Sequence, residues 1–172
     1  MRILYTASEA LPYAASGGLA DVAGSLPAAL CKAGHDCRVV LPLYKSIKPE
    51  LRKDLRFLMN FTVDVGWRKQ YCGVFEGHAN NVTYYLLDNE YYYARDGLYG
   101  FYDDCERFVF LSRAVMELIR HIDWKPQIIN CNDWQTALVP VYYQTYYKYQ
   151  HGYEDIKTVF TIHNIQYQGQ YG

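Results

Sequence analysis

Residues 8–33, SEALPYAASGGLADVAGSLPAALCKA, decide the fold of this chain. The apolar run ILYTA at 3–7 precedes them and is typical of a short buried strand. The Ser16-Gly17-Gly18 break follows, and beyond it apolar residues recur at helical spacing: Leu19, Val22, Ala23, Leu26 and Leu30. A strand, a glycine loop and a helix in this order place free backbone N–H groups at the mouth of a ligand crevice in α/β proteins.

Several features of this stretch have two interpretations. The Gly17-Gly18 pair permits positive φ and close approach of a ligand, or it forms a strand-to-helix turn with no ligand. Asp21 suits the first turn of the helix, where the helix dipole favours a carboxylate. Pro27 either kinks a helix begun near Leu19 or occupies the first turn of a helix capped by Ser25.

Composition restricts the class of protein. The chain has 172 residues, of which 51% are apolar, and a formal net charge of −1. This suits one globular domain or a piece of a larger protein, and it predicts neither nucleic acid nor a membrane as a partner. No apolar run has the length of a membrane span, and the N-terminus does not resemble a secretory signal.

Two residue types stand out in the composition. The five cysteines are dispersed and lack CxxC spacing, which predicts reduced, mostly buried thiols in a cytoplasmic protein. We expect no metal site and no cofactor. The 19 tyrosines are too many for a core, so some are expected to face a groove or a partner surface.

The remaining chain alternates strands with helices, which predicts a Rossmann-like, doubly wound, mainly parallel α/β sheet. Strands for the middle of this sheet are predicted at 2–7, 37–42, 127–131 and 157–162. Three more strands are predicted as a β-rich excursion near 56–87, at 57–65, 71–75 and 82–87, with turns at Gly66 and 77–81. Helices are predicted at 105–122, with Asp104 as its cap, and at 134–147.

Polar residues follow several of these strands, and function in doubly wound sheets lies at the strands' carboxyl ends. The positions are Ser8-Glu9, Leu43-Tyr44, Asn132-Asp133-Trp134 and His163-Asn164. A carboxylate, a histidine, amides and the glycine loop are therefore expected to meet in one crevice. The chain has no Walker loop, GxGxxG or HExxH motif and no Ser-His-Asp order.

Each of these residues also has a structural interpretation. Asp133 is explained more simply as the cap of a helix starting at Trp134. His163 is more simply a hydrogen-bonded loop histidine than an acid, a base or a ligand. The Tyr91-Tyr92-Tyr93 run is either a hydrophobic plug under a loop or a platform for a sugar or a base.

Six stretches together resemble the bacterial glycogen synthases and plant starch synthases, and they cover nearly the whole chain. They are SEALPYAASGGLADVAGSLPAAL (8–30), GHDCRVVLPLY (34–44), YYYARDGLYG (91–100), DDCERFVFLSRAVMELI (103–119), INCNDWQTALVPVY (129–142) and TVFTIHNIQYQG (158–169). These families are retaining, two-domain glucosyltransferases of the GT-B type. The resemblance implies transfer of glucose from ADP-glucose to the non-reducing end of an α-1,4-glucan.

The resemblance also implies roles for individual residues and for the chain. It assigns catalytic roles to His163, Asp133 and Asp21, and substrate-binding roles to Ser16, Gly17, Gly18, Tyr93, Asn164 and Gln168. Residues 1–172 are expected to form the acceptor-side N-terminal domain, without the C-terminal domain that binds the nucleotide sugar. The chain alone is then expected to be inactive and to self-associate.

The glycine loop departs from the pattern of the family. The usual loop is Lys-Thr-Gly-Gly-Leu, whereas this chain has Ala15-Ser16-Gly17-Gly18-Leu19, so the lysine that would meet the diphosphate is missing. A non-catalytic glucan-binding or regulatory module with the same fold therefore remains the alternative to the enzyme.

Overall fold

The computed structural model describes residues 1–171. Seven strands are present in this part: β1 (Arg2–Thr6), β2 (Asp36–Pro42), β3 (Arg56–Val65), β4 (Arg68–Ala79), β5 (Val82–Asp88), β6 (Ile128–Asn132) and β7 (Lys157–Thr161). The helices are α1 (Gly18–Lys32), α2 (Pro49–Arg52), α3 (Glu90–Tyr93), α4 (Asp104–His121) and α5 (Leu138–Tyr142). A 3₁₀ turn at Trp134–Thr136 precedes α5, and a π turn at Tyr143–Tyr147 follows it.

All the strands join one sheet in the order β3-β4-β5-β2-β1-β6-β7. Strands β5, β2, β1, β6 and β7 are mutually parallel, whereas β3 and β4 run antiparallel to their neighbours. This confirms the mainly parallel α/β sheet. It also places the carboxyl ends of β1, β6 and β7 side by side at one edge of the sheet.

Two predicted strand placements are wrong. Strand β7 was expected in the middle of the sheet, but in residues 1–171 it lies at an edge, paired with β6 alone. The strand at 82–87 belongs to the parallel part, because β5 pairs with β2 from Arg38↔Thr83 to Pro42↔Leu87. Two successive antiparallel pairings return the chain to the direction of β2, so the β-rich excursion extends the same sheet.

Helix α1 forms as the apolar spacing predicts. It begins at Gly18 and runs continuously through Pro27, which excludes a separate helix capped by Ser25. The Ser25 hydroxyl instead donates to the carbonyl of Asp21 at 2.7 Å. Gly24 lies on the buried side, where a Cβ atom would come within 2.9 Å of Leu11 Cβ and 3.0 Å of its carbonyl oxygen. The absence of a side chain at Gly24 therefore lets α1 approach the loop after β1.

The other long helix carries the larger apolar face. Helix α4 buries Phe108, Leu111, Val115 and Leu118 at the predicted spacing. It starts one residue earlier than expected, and Asp104 does not cap it. Its carboxylate instead accepts the N–H of Gly100 at 2.7 Å and a bond from the fully buried Arg107 at 2.6 Å.

The helix predicted at 134–147 is present over those bounds, but it is not one regular α-helix. The segment divides into the 3₁₀ turn, α5 and the π turn. Pro140 lies inside it and has no N–H to donate, and the Thr136 hydroxyl bonds to the backbone N–H and carbonyl of Asn132. Both features favour irregular turns over one regular helix.

All five cysteines are free, and three of them, Cys37, Cys72 and Cys131, are buried. Burial raises the pKa of the Cys37 and Cys131 thiols to about 12, so both are unreactive thiols at neutral pH. Within residues 1–171, none of the helices combines the length and the apolar character needed to cross a membrane.

Candidate functional site

A cleft of about 1110 Å³ opens beyond the carboxyl ends of β1, β6 and β7. Four segments form its wall: the glycine loop with the start of α1, the loop before α4, the turn after β6 and the segment after β7. Its polar lining includes Glu9, Ser16, Tyr99, Asp104, Asp133, Gln135, His163, Asn164, Gln166 and Gln168. This lining agrees with the prediction that polar residues after β1, β6 and β7 meet in one crevice, whereas Leu43 and Tyr44 after β2 are buried and do not line it.

The buried carboxylate of Glu9 holds the glycine loop through a hydrogen bond. Glu9, only 3% exposed, accepts the backbone N–H of Ser16. Burial raises the pKa of Glu9, and hydrogen bonding by the side chain and the backbone of Ser16 opposes the rise. The sequence placed Glu9 at the end of β1 but assigned it no role.

The backbone conformation does not require glycine at position 17 or 18. Gly17 has φ −163°, an extended conformation open to any residue, and neither Gly17 nor Gly18 uses the positive φ that glycine permits. A Cβ atom on Gly18 would meet nothing within 4 Å, and one on Gly17 would lie 3.9 Å from Glu9. Both positions therefore leave open space in the cleft, where the positive end of the α1 dipole also lies.

Asp133 fastens the segment after β7 to the end of β6. Its Oδ1 atom accepts the backbone N–H groups of His163 at 2.7 Å and Asn164 at 3.3 Å. Its backbone has φ 57° and ψ −179°, a region that is populated almost only by glycine. No side-chain bond caps the following turn, so the helix-cap interpretation of Asp133 is wrong.

The segment after β7 carries three of the expected site residues into the cleft. His163, Asn164 and Gln168 all line it, and the ring of His163 reaches back to Asn132 with 2.9 Å between Nε2 and Oδ1. Asp21 is different: it is exposed in the first turn of α1, outside the lining, although its neighbour Val22 belongs to the lining.

Tyr93 does not reach the cleft, which corrects its expected position in a substrate pocket. It is fully buried, its hydroxyl donates to the carbonyl of Arg107, and its ring packs edge-on against Tyr44. Tyr92 is equally buried, while Tyr91 is 53% exposed, so the plug interpretation holds for two of the three tyrosines. Local spacing could not show this, because the short helix α3 turns Tyr92 and Tyr93 inward.

Tyr99, from the same motif as Tyr93, does line the cleft. Its hydroxyl pairs with that of Ser8 at 2.7 Å, and burial raises the pKa of Tyr99, an effect that the Glu9 carboxylate increases. The Trp134 ring also lines the cleft and packs edge-on against Phe108. Both aromatic residues were in the quoted motifs, but only the fold distinguishes them from the buried ones.

The charged groups of the cleft lining are all carboxylates. They are Glu9, Asp104 and Asp133, and the lining formed by the described residues contains neither lysine nor arginine. Within the same part of the chain, no group of three His, Cys, Asp or Glu residues is arranged to hold a metal ion. The cleft therefore presents hydrogen-bond acceptors, amides and aromatic rings.

The starch synthase catalytic domain family matches residues 2–172. The chain belongs to this family. It is 55% identical over 170 residues to a glycogen synthase of Clostridium botulinum (strain Alaska E43 / Type E3), covering 98% of this chain and 36% of that protein. It is 50% identical over 169 residues to a glycogen synthase of Geobacillus stearothermophilus, covering 98% of this chain and 35% of that protein.

The family fold is confirmed by a solved structure. The catalytic domain of starch synthase IV from Arabidopsis thaliana, bound to ADP and acarbose, matches with a TM-score of 0.90 and 32% identity. The match covers 97% of this chain and 34% of that one. This member of the starch synthase family therefore spans about a third of the length of the relatives that it matches.

Proposed function

We propose that this chain forms the sugar-binding, acceptor side of the cleft in an ADP-glucose-dependent α-1,4-glucan synthase. The observation that carries the proposal is the lining of the cleft in this member of the starch synthase family. The lining consists of carboxylates, amides and aromatic rings, without lysine or arginine among the described residues. Such a lining suits a neutral sugar, whose hydroxyls donate to the carboxylates and whose ring packs on aromatic faces.

The sugar contacts follow from the positions of these groups. Asp133 and the His163-Asn164 segment offer polar atoms at the floor, and Tyr99 and Trp134 offer rings at the wall. Leaving one buried polar partner unpaired costs about 1–3 kcal/mol, so a lining of this kind favours a ligand with many hydroxyls. The open space at Gly18 admits the ligand close to the start of α1.

The leaving group makes the opposite demand. Glucosyl transfer from ADP-glucose releases a diphosphate, whose growing negative charge needs fixed cations or N–H donors. Glu9 already binds the N–H group of Ser16, and the lysine of the family loop is replaced by Ala15. We therefore propose that the cations that stabilise the diphosphate come from a part of the enzyme outside the described residues.

The same proposal covers the reaction and its setting. Glucose is transferred with retention of configuration, and carboxylates and carbonyl groups near the anomeric carbon stabilise an oxocarbenium-like transition state. The nucleotide sugar and an α-1,4-glucan are the partners. The five free thiols suit a reducing compartment, so we place the enzyme in the cytoplasm.

The test is incorporation of labelled glucose from ADP-glucose into glycogen by the protein as its gene encodes it. We expect incorporation by the encoded protein and none by residues 1–172 alone, because the cleft lining formed by the described residues lacks cations for the diphosphate. Failure of the encoded protein with ADP-glucose and with UDP-glucose would exclude the synthase function.

Ala15 favours a second candidate, a glucan-binding module that does not transfer glucose. The two candidates differ in one measurement. A module would bind maltooligosaccharides in a calorimetric titration but would show no transfer and no binding of ADP-glucose, whereas the synthase would bind both ligands.

A further inference from the structure

The ring of His163 is held by the buried side-chain amide of Asn132, a residue to which the proposed function assigns no role. Asn132, at the last position of β6, is completely buried, and its Oδ1 atom lies 2.9 Å from Nε2 of His163. The backbone N–H of His163 is held separately by Asp133. Backbone and ring of His163 are thus fixed by two consecutive residues.

The hydrogen bonds of Asn132 determine which way its amide faces. Its Nδ2 atom donates to the carbonyl of Thr6 at 3.0 Å and to Asn130 at Oδ1, 3.0 Å, and at its carbonyl, 3.3 Å. Rotating the amide by half a turn would set its oxygen against three oxygens. The amide oxygen therefore faces His163.

This orientation defines the proton on the imidazole ring. An amide oxygen only accepts hydrogen bonds, so Nε2 of His163 must carry the hydrogen that Asn132 receives. In the neutral ring the other nitrogen, Nδ1, then has a free lone pair. Among residues 1–171 no group forms a hydrogen bond with Nδ1, and the ring lines the cleft.

We propose that Asn132 is a positioning residue that holds His163 in the Nε2–H tautomer, so that Nδ1 accepts a hydrogen bond from a sugar hydroxyl. The identity of the ligand rests on the proposed function, whereas the tautomer does not. A neutral ring with a bare Nδ1 has no N–H to give to a phosphate oxygen. Asn132 thereby makes His163 specific for a hydroxyl donor.

The first experiment observes the tautomer directly. Two-bond ¹H–¹⁵N correlation spectra are recorded on the encoded protein labelled at histidine, at a pH where the ring is neutral, with His163→Gln used for assignment. We expect essentially pure Nε2–H in the wild type and a mixture in Asn132→Ala.

The matched control is Asn60→Ala, the same substitution at an exposed position on β3, at the opposite edge of the sheet. It should leave the His163 signals unchanged. A dominant Nδ1–H tautomer in the wild type would overturn the inference, as would an unchanged tautomer ratio in a folded Asn132→Ala protein.

The second experiment tests the hydroxyl with a series of monodeoxy substrates. For each deoxy position, the kcat/KM for the intact sugar is divided by the kcat/KM for the deoxy sugar. At one position this ratio should be at least about tenfold larger in the wild type than in Asn132→Ala, a coupling of about 1.4 kcal/mol. Equal discrimination by the two proteins at every position would overturn the role of Nδ1. Complete absence of transfer would instead refute the proposed function, and the spectra would still decide the tautomer.

Discussion

The Oδ1 atom of Asp133 accepts the backbone N–H groups of both His163, at 2.7 Å, and Asn164, at 3.3 Å. One carboxylate therefore joins the ends of two parallel strands across the floor of the cleft. Asp133 makes these bonds from φ 57° and ψ −179°, a conformation that costs about 1–3 kcal/mol for a residue other than glycine. The carboxylate contacts offset this strain.

Two substitutions of Asp133 distinguish the effect of its backbone strain on stability from the effect of its carboxylate hydrogen bonds. Asp133→Ala keeps the strained backbone and loses both bonds, whereas Asp133→Gly loses the bonds and relieves the strain. We expect the glycine variant to be more stable than the alanine variant by about 1 kcal/mol or more in urea unfolding. Both should lose glucosyl transfer in the encoded protein. An alanine variant as stable as the glycine variant would contradict this account.

Gly18→Ala is expected to separate function from stability. A Cβ atom at Gly18 meets nothing within 4 Å, so the free energy of unfolding should stay unchanged or rise by about 0.5 kcal/mol. The added methyl group enters the cleft, and the KM for the sugar substrate should rise about tenfold.

Gly24→Ala is the matched control on the same helix. Its Cβ would lie 2.9 Å from Leu11 Cβ and 3.0 Å from the Leu11 carbonyl, so this variant should lose stability. If Gly18→Ala binds substrate as the wild type does, the space at Gly18 is not part of the ligand site.

The raised pKa of Glu9 predicts a defined pH dependence of stability. Burial raises this pKa in the folded protein, so the folded state binds the proton more tightly than the unfolded state. The contribution of Glu9 is therefore most favourable at low pH and declines as pH rises from the ordinary glutamate pKa through the raised one. Above the raised pKa the contribution no longer changes.

The measurement is urea unfolding of the wild type and Glu9→Gln over that pH interval. Glutamine does not titrate and keeps an oxygen for the N–H of Ser16. The wild type should lose stability relative to Glu9→Gln as pH rises. A constant difference between the two proteins, or the opposite trend, would show that burial does not dominate at Glu9.

Introducing the missing lysine should have a small effect. Ala15 is exposed, and the Glu9 carboxylate bonds to the next residue, Ser16, so a lysine at 15 would enter a loop that already contains a negative charge. We expect Ala15→Lys to change the turnover of the encoded protein less than tenfold, about 1.4 kcal/mol. A gain of several orders of magnitude would show that Ala15 disables the native loop.

The edge strand β7 predicts self-association of residues 1–172 when they are produced alone. Val159 and Phe160 are each 44% exposed on this strand, and Ile162 beyond it is 53% exposed. An open apolar edge pairs readily with another chain, and a charge on it prevents this. Sedimentation should show oligomers for the wild type and a monomer for Phe160→Lys; a monomeric wild type at high concentration would refute this.

The sequence by itself determined the sheet type, the helices α1 and α4 and the edge of the sheet where the cleft lies. These depend on local periodicity and on the rule that parallel strands end together, both of which are visible along the chain. The motifs also placed His163, Asn164, Gln168 and the glycine loop at that edge, and the structure finds all of them in the cleft lining.

Only the tertiary structure decided which side chains face the cleft and what holds them. Tyr93 and Tyr99 lie in the same motif, yet one is buried against Tyr44 and the other lines the cleft. Asp133 resembled a helix cap, but its partners are 30 and 31 residues away in the chain. Such contacts depend on how distant strands pair, and local spacing carries no information about that pairing.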